Sequence, residues 1–413
     1  MRKCLLILSL SMCLLPVRAQ SDFARGADIS WCTEMEAGGR LFYNSSGEQR
    51  DIFALMKEIG MTAIRLRVWV NPAQFGYGAW CDKTDVLNKA RRAHAQELDL
   101  MIDFHYSDFF ADPGTQTIPV NWQGYTTEQL KTAVALHTKE VLQALKTEGI
   151  SPKWVQVGNE TNCGMLFPNG AIDFEQYGTD RFSAYVSLSN TCYDAVKEVF
   201  PQAQVIVHLG GTENAQWFFS DFIAAGGKVD MIGLSHYPTA SEWNSPASGA
   251  THSNINAAQY VQDAIQQFGL PVMICETGFD VSRPTLAKQV MQDLFDRLTV
   301  IPRSAGIFYW EPETDGYWKP AYYNTLGWNA YGIGAFTTTG KPTIALEPFG
   351  AQAEATELVE QVDMSSSLLT SPAYTILGQP APNGYKGSVI QNGKKIKVLR
   401  FTRSLRSFGA LIP

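Results

Sequence analysis

Two glutamates stand at the ends of short apolar segments, where a parallel sheet would place catalytic carboxylates. Residues 153–157 are followed, after one glycine, by Asn159 and Glu160, and residues 271–276 end at Glu276. Apolar runs of this length, bounded by turn residues, are typical of buried parallel strands. A single such glutamate is more often a solvated or ion-paired loop residue. Two of them, in a chain with eight strand-like segments, favour a pair of glycosidase carboxylates.

The positioning elements alternate between strands and helices along most of the chain. The predicted strands cover residues 26–31, 63–69, 100–105, 153–157, 204–209, 231–236, 271–276 and 306–310. Between them, apolar residues at helical spacing predict helices near 48–59, 83–97, 126–148, 174–199, 214–225, 254–268 and 285–298. Strict β/α alternation indicates a parallel sheet, and eight units predict a closed α/β barrel, the (β/α)8 TIM barrel.

A closed barrel would bring the carboxyl ends of all eight strands to one mouth, where such barrels keep their chemistry. Retaining glycoside hydrolysis needs one carboxyl group that is protonated near neutral pH and one that is ionised. We expect Glu160 to be the acid/base and Glu276 the nucleophile. The expected substrate-binding residues at this mouth are Arg67, His105, Asp108, Asn159, His236, Tyr237 and Trp310.

Individual roles can be assigned to several of these side chains. Arg67 and Tyr237 are expected to keep Glu276 ionised and lower its pKa, and Asn159 to bind the sugar 2-hydroxyl. Trp310 offers an apolar ring face to a sugar. Arg65 lies on the same strand face as Arg67, and the position of Arg67 nearer the strand end favours it as the partner of Glu276.

Several residues have an alternative, purely structural interpretation. His105 and His236 are either substrate contacts or satisfied barrel histidines, and Asp108 either binds sugar or caps a loop. Trp122, Trp318 and Trp328 are either stacking platforms or packing residues of loops. The sequence leaves these choices open.

With these residues in place, the chain resembles the large clan of retaining (β/α)8 glycosidases, and more narrowly the family-53 glycoside hydrolases, the endo-β-1,4-galactanases. The matching stretches are residues 26–30, 65–69, 104–108, 111–114, 158–161, 235–238, 276–278 and 309–312, spread over about residues 26–350. The resemblance implies internal cleavage of the β-1,4-galactan side chains of pectin, with retention of configuration.

The chain departs from that family at one loop. Bacterial members often bind calcium in an extended acidic loop after the seventh strand, whereas residues 279–284 are short and contain one carboxylate, Asp280. We therefore expect no metal site and no cofactor, although Glu313 and Asp315 in the eighth loop supply further carboxylates.

The amino terminus has the layout of a secretory signal peptide. Arg2 and Lys3 precede an apolar run from Leu5 to Leu15, and small residues suit cleavage after Ala19. We expect an exported protein (periplasmic, cell-surface or extracellular), whose formal net charge changes from −7 to −10 when the segment is removed. Cys13 follows Met12 rather than a small residue, which argues against a lipid anchor.

The domain division follows from these patterns: a signal peptide (1–19), a glycoside hydrolase barrel (20–350), and a linker with a short β-tail (351–413). In the tail, Asn392-Gly393 between two strand-like runs predicts a hairpin.

Five cysteines remain after removal of the signal peptide, an odd number without C-x-x-C spacing. The sequence leaves one or two disulfide bonds open, and Cys275 is expected to be a buried free thiol.

The amino-acid composition limits which classes of binding partner are expected. Charged residues make up 18% and aromatic residues 12% of the chain, and no basic patch stands out, which argues against nucleic-acid binding. The expected partner is β-1,4-galactan or its oligosaccharides, with a monomeric enzyme and no membrane span. The rivals are another clan activity, such as a mannanase, xylanase or cellulase, and a glycan-binding barrel that has lost catalysis.

Overall fold

The computed structural model describes residues 23–175 and 178–350, together with three strands near the carboxyl terminus. Eight parallel strands close into a barrel. In chain order they are β1 (Ala24–Asp28), β2 (Ala63–Val68), β3 (Asp99–Phe104), β4 (Trp154–Val157), β5 (Gln204–Leu209), β6 (Met231–Ser235), β7 (Val272–Thr277) and β8 (Ser304–Trp310). The predicted (β/α)8 barrel is confirmed.

Seven helices connect these strands: α1 (Ile52–Ile59), α2 (Lys83–Ala95), α3 (Thr127–Thr147), α4 (Ser183–Val199), α5 (Ala215–Ala224), α6 (Asn254–Phe268) and α7 (Pro284–Leu298). Shorter helices span Cys32–Ala37 and Tyr323–Leu326, and 3-10 turns span Pro72–Phe75, Val120–Trp122, Gly178–Phe182 and Ile344–Leu346. Two-stranded ribbons pair Phe42–Tyr43 with Gln49–Arg50 and Gly164–Met165 with Gly170–Ala171.

The helix boundaries follow local chemistry. Helix α1 begins later than the predicted residue 48, because Gln49–Arg50 pairs as a strand and the carboxylate of Asp51 then accepts from the amide of Phe53 at 2.9 Å. Gly60, with φ of +111°, ends that helix. Thr126 and Gln129 form a capping box at the start of α3. Helix α4 begins at Ser183, later than the predicted residue 174, because a 3-10 turn precedes it.

Side chains alternate between two apolar regions. In β2, Ile64, Leu66 and Val68 face the surrounding helices, whereas Ala63 joins a small cluster inside the lower barrel. Trp154 and Phe308 fill that interior, and a Cβ at Gly26 would collide with the ring of Phe308. The lower barrel is therefore a packed core, and polar side chains are left to the mouth.

The predicted hairpin of the tail is also present. Gly387–Gln391 pairs antiparallel with Lys394–Val398, and Tyr374–Thr375 adds a third strand. The turn residues 392–393 and the proposed signal segment lie outside the described residues.

Within the described ranges, no helix is both long enough and apolar enough to cross a membrane. The five cysteines in these ranges are free, and Cys275 is among the buried ones.

Candidate active site

The two predicted catalytic glutamates lie at the same end of the barrel. Glu160 follows β4 in the left-handed backbone region, with φ of +46°, just after Gly158 with φ of +88°. Glu276 lies within β7, in register with Ser235 of β6. The tight turn after β4 directs the Glu160 side chain towards Ser235, so both carboxyl groups belong to one polar cluster.

Arg65 is the centre of that cluster. It is fully buried, and its Nη2 lies 2.9 Å from Glu276 Oε1 and 2.8 Å from Asp103 Oδ2, while its Nη1 lies 2.8 Å from Asp28 Oδ2. Nη2 also donates to Asn159 Oδ1 at 2.9 Å. A buried cation needs such compensation, and the planar guanidinium can serve several oxygens at once. Arg65 therefore fixes residues from four strands or strand ends.

The expectation that Arg67 is the partner of Glu276 is wrong. Side chains two residues apart on a tilted barrel strand lie in successive layers, and Arg67 lies in the upper one. Its Nη1 pairs with Glu311, and its guanidinium carbon lies 5.2 Å from the ring centroid of Trp31, 5.2 Å from that of Trp69 and 4.8 Å from that of Phe110. Arg67 supports the rim of the mouth through cation–π contacts.

Glu276 is held at both carboxylate oxygens. Arg65 contacts Oε1 and the hydroxyl of Tyr237 donates to Oε2 at 2.9 Å. Burial nevertheless raises the pKa of Glu276 above its ordinary value, opposed by the charge of Arg65 and the Tyr237 hydrogen bond. The expected lowering of this pKa is therefore wrong, because desolvation outweighs the two partners. Contact with the guanidinium still makes Glu276 the carboxyl group of the pair that carries the negative charge.

Glu160 has a different environment. Its carboxyl group contacts no cation among the described residues, and Ser235 Oγ donates to its Oε1 at 2.6 Å. Burial and the negative charge of Glu276 together raise the pKa of Glu160 to about 8. At neutral pH the proton of the pair therefore resides on Glu160. Because Oε1 accepts from Ser235, the proton belongs on Oε2.

His208 and Ser235 were not among the predicted site residues. His208 Nδ1 accepts from the backbone amide of Glu160 at 3.3 Å and from Gln156 Nε2 at 3.0 Å. Its Nε2 therefore carries the hydrogen and donates to Ser235 Oγ at 3.0 Å. Burial lowers the pKa of His208 well below its ordinary value, so the ring stays neutral. The signal in the sequence was a histidine inside the apolar run of β5, which required a buried partner.

Asn159 is fully engaged on its oxygen. Its Oδ1 accepts from Arg65, and its Nδ2 donates to the carbonyl of Ala111 at 2.8 Å. One amide hydrogen remains for a ligand, because a side-chain amide carries two. The arrangement allows the expected hydrogen bond to a sugar hydroxyl.

The two predicted histidines have structural partners on their ring nitrogens. His105 Nδ1 accepts from the amide of Ala111 at 2.9 Å, and Nε2 lies 3.0 Å from Asp103 Oδ2. His236 Nε2 lies 2.9 Å from Asn254 Oδ1, and burial lowers its pKa to about 4. The structure therefore favours the interpretation of His105 as a satisfied barrel histidine, and it gives His236 a protein partner on Nε2.

Asp108 organises loops. Its Oδ1 accepts from the amide of Asn71 at 2.8 Å, its Oδ2 accepts from the amide of Val120 at 2.8 Å, and Gln74 also donates to Oδ2. With its carboxylate surrounded by protein donors, Asp108 fits the loop-capping interpretation better than sugar binding. It joins the loop after β2 to the loop after β3.

Aromatic side chains form one wall of the mouth. Trp310 is half-buried, with its ring centroid 5.1 Å from that of Trp31 and 4.7 Å from that of Tyr331. Trp318 packs on Trp31 at 5.5 Å, and Trp328 is 45% exposed at the rim. Trp310 and Trp328 are thus available to a ligand, whereas Trp122 is only 8% exposed and packs in its loop.

Both acidic residues of the eighth loop are buried, but they differ in their partners. Asp315 pairs with Arg40 at 2.6 Å, and burial together with the charge of Glu311 raises the pKa of Glu313 well above its ordinary value. In the ranges that the structure describes, no cluster of three or more His, Cys, Asp or Glu is arranged to hold a metal ion. The expected absence of a metal site stays a prediction.

A barrel mouth with two buried carboxyl groups, one of them held beside a guanidinium, has the arrangement that glycoside hydrolases use. The family model described as glycosyl hydrolase family 53 matches residues 24–349. The chain belongs to this family, and the predicted resemblance is confirmed.

Relatives and solved structures agree with that assignment. The chain is 32% identical over 327 residues to an arabinogalactan endo-beta-1,4-galactanase of Cellvibrio japonicus, covering 72% of this chain and 82% of the relative. It is 28% identical over 349 residues to an endo-beta-1,4-galactanase of Bacillus subtilis, covering 76% of each. The solved GH53 catalytic domain of Ignisphaera aggregans superposes with a TM-score of 0.68 at 26% identity, covering 79% of this chain and 95% of that domain.

Proposed function

We propose that the protein is a secreted, retaining endo-β-1,4-galactanase that hydrolyses internal bonds in the (arabino)galactan side chains of pectin. The names of the relatives from Cellvibrio japonicus and Bacillus subtilis support the substrate. The pair of glutamates supports the mechanism. Catalysis requires both in different protonation states, whereas a barrel that only binds glycans does not.

The observation that carries the mechanism is the asymmetry between the two carboxyl groups. Glu276 lies 2.9 Å from the Arg65 guanidinium, while the Glu160 carboxyl group accepts from the Ser235 hydroxyl, has no cation partner among the described residues and has a pKa raised to about 8. Groups with environments this different take opposite acid and base roles.

In the first step, the ionised Glu276 attacks the anomeric carbon. Glu160 Oε2 gives its proton to the glycosidic oxygen as that bond breaks, so the leaving chain departs as a neutral alcohol. The galactosyl unit is then bonded to Glu276, and Arg65 loses part of the charge that it had compensated. Its pairs with Asp28 and Asp103 keep the guanidinium balanced during this step.

In the second step, Glu160 is a carboxylate and accepts a proton from a water molecule. The water oxygen attacks the anomeric carbon from the side that the leaving chain vacated, and the bond to Glu276 breaks. Two inversions give net retention. Ser235 stabilises the carboxylate form of Glu160 in this step, because its hydroxyl donates to Oε1.

We propose the same domain division as the sequence predicts: a signal peptide at residues 1–19, the catalytic barrel at 20–350, and a linker with a β-tail at 351–413. Export would place the enzyme where plant polysaccharides are found. The amino-terminal sequence of the protein purified from a secreting host tests the cleavage after Ala19.

The deciding experiment follows the earliest products from linear β-1,4-galactan by NMR. Short oligosaccharides whose new reducing ends are β would support endo action and retention together. Initial α-products would mean inversion and remove Glu276 from its role as nucleophile. Cleavage of mannan, xylan or cellulose without cleavage of galactan would show that the enzyme has another activity of the clan. If no glycan is cleaved, the interpretation as a glycan-binding protein would be favoured.

A further inference from the structure

A groove of about 670 Å³ lies on the flank of the barrel, beside the catalytic mouth. We infer that this flank groove, lined by Trp122, Tyr125 and one face of helix α3, is a second binding site for the neutral galactan chain. The inference rests on the proposed function for the identity of the glycan. The volume of the flank groove falls within the range of ligand sites in proteins, about 300–1,000 Å³.

One helix face forms the floor of the groove. The lining residues of α3 are Glu128, Gln129, Thr132, Ala133, Leu136, His137 and Glu140. They recur at intervals of three and four residues and therefore lie in one stripe. The stripe runs from Glu128 to Glu140 and spans twelve residue steps, or about 18 Å at 1.5 Å per residue. An elongated floor suits a chain of sugars better than a single small molecule.

The groove offers the two kinds of contact that sugars use. Tyr125 is 38% exposed and Leu136 is 57% exposed, so an aromatic ring and an aliphatic side chain are available to the apolar face of a sugar. His137 Nε2 is buried and has no hydrogen-bond partner in the part of the chain that the structure describes. An unpaired buried nitrogen gains from a hydroxyl partner.

The charged residues around the groove favour a neutral ligand over an anionic one. Two carboxylates, Glu128 and Glu140, line the groove, and no lysine or arginine is among its lining residues. Lys83 and Lys131 lie at its edges, 3.6 Å from Glu140 and 3.2 Å from Glu128. Burial lowers the pKa of His137 to about 4, so this ring adds no positive charge at neutral pH. Polygalacturonate, an anionic chain, finds no cationic partner among the lining residues, whereas sugar hydroxyl groups can donate to the carboxylates.

The groove and the mouth share one loop. The segment from Tyr106 to Tyr125 carries Phe110 on the side of the mouth, next to Arg67, and Trp122 on the side of the groove. Asp108 holds this loop by accepting from Val120, two residues before Trp122. A polymer that leaves the mouth over this loop therefore reaches the groove. Holding one substrate at two points raises the effective concentration of galactan at the catalytic site.

Affinity electrophoresis of the full chain tests the site, with Glu276→Gln present to stop hydrolysis. Native gels contain linear β-1,4-galactan, polygalacturonate or no polysaccharide. Tyr125→Ala removes the exposed ring, and Thr132→Trp fills the groove from an exposed position. Tyr260→Ala, a half-buried tyrosine on α6, is the matched control. We expect the two groove variants to weaken retardation by galactan about threefold or more, and the control to match the parent.

Kinetics of the same substitutions with Glu276 intact separate this site from the catalytic one. The KM for long galactan should rise about threefold or more in both groove variants, while kcat/KM for short galacto-oligosaccharides stays unchanged. Unchanged retardation and KM in both variants would overturn the second site, as would stronger retardation by polygalacturonate than by galactan. Failure of the proposed function is a separate result, since it would show as no hydrolysis of galactan by the unmodified enzyme.

Discussion

Ser235 Oγ lies 2.6 Å from Glu160 Oε1 and 3.0 Å from His208 Nε2. The neutral His208 ring thus orients the serine hydroxyl, and the hydroxyl in turn orients Glu160, the proposed catalytic acid. Because His208 also binds the backbone amide of Glu160, one imidazole fixes both the main chain and the side chain of that residue. The carboxyl group is held in a single orientation, with Oε2 left for the substrate.

Replacing Ser235 by alanine should move the basic limb of the pH profile upwards. The hydroxyl donates to the carboxylate form, so its loss disfavours ionisation and raises the pKa of Glu160 further above about 8. A hydrogen bond to a charged group is worth about 1.5–3 kcal/mol, which corresponds to a shift of about one to two pH units. The measurement is kcat/KM against pH. Ser235→Thr keeps a hydroxyl and should retain the original limb; an unmoved limb in Ser235→Ala would contradict the assigned role.

Glu160→Gln should stabilise the fold at alkaline pH while abolishing turnover. The pKa of Glu160 is raised on folding, so its contribution to stability is fully present below the unfolded pKa and is lost as pH rises through about 8. A neutral amide avoids that loss. We expect the melting temperature of the variant to match that of the wild type near pH 4 and to exceed it by a few degrees near pH 8.

The control for this comparison is Glu198→Gln, which removes one negative charge from an exposed position. Its melting temperature should follow the wild type at both pH values. Equal pH dependence of stability in Glu160→Gln and the wild type would show that the Glu160 carboxyl group is not protonated in the folded enzyme at neutral pH.

Arg65 and Arg67 should respond differently to the same substitution. Arg65→Lys cannot serve Asp28, Asp103 and Glu276 together, because an ammonium group lacks the planar fork. We expect kcat to fall by about 10²-fold or more, in line with misplacement of a catalytic group. Arg67→Lys keeps the charge opposite Glu311 and should retain kcat within about tenfold. Assays at equal folded fraction, judged by circular dichroism, make the comparison; a larger loss in Arg67→Lys would reverse the assignment.

This difference between two arginines also shows what the sequence could and could not predict. The strands were predictable because each is a short apolar run between turn residues, and Glu160 and Glu276 followed from their positions at strand ends. Period-two alternation placed Arg65 and Arg67 on one face but did not assign their layers. That assignment depends on strand tilt and on partners from β1, β3 and β7, which lie far away in the sequence.

Sequence reasoning also missed the support for Glu160. His208 and Ser235 come from β5 and β6; His208 lies outside the matching stretches, and Ser235 begins the stretch 235–238 without a role that its residue type alone would assign. Their function appears only when the barrel closes and places both next to the turn after β4. Similarly, Asp108 and His105 have the residue types of ligand-binding groups, but main-chain amides from loops satisfy them. Which polar groups the protein itself satisfies is a property of the tertiary fold.

Chemical rescue should identify each glutamate by the stereochemistry of its product. In Glu276→Gly, azide can enter the space of the missing carboxylate and attack an aryl β-galactobioside from the opposite side to the leaving group, giving the α-azide by a single inversion. In Glu160→Gly, an aryl leaving group needs no acid, so Glu276 still forms the covalent intermediate. Without the Glu160 carboxylate, water has no base to accept its proton, so azide attacks the covalent intermediate instead and gives the β-azide. NMR of the two azides is the measurement. The same anomer from both variants, or β-azide from Glu276→Gly, would contradict the roles assigned here, whereas α from one and β from the other would fix the nucleophile and the acid/base independently of pH.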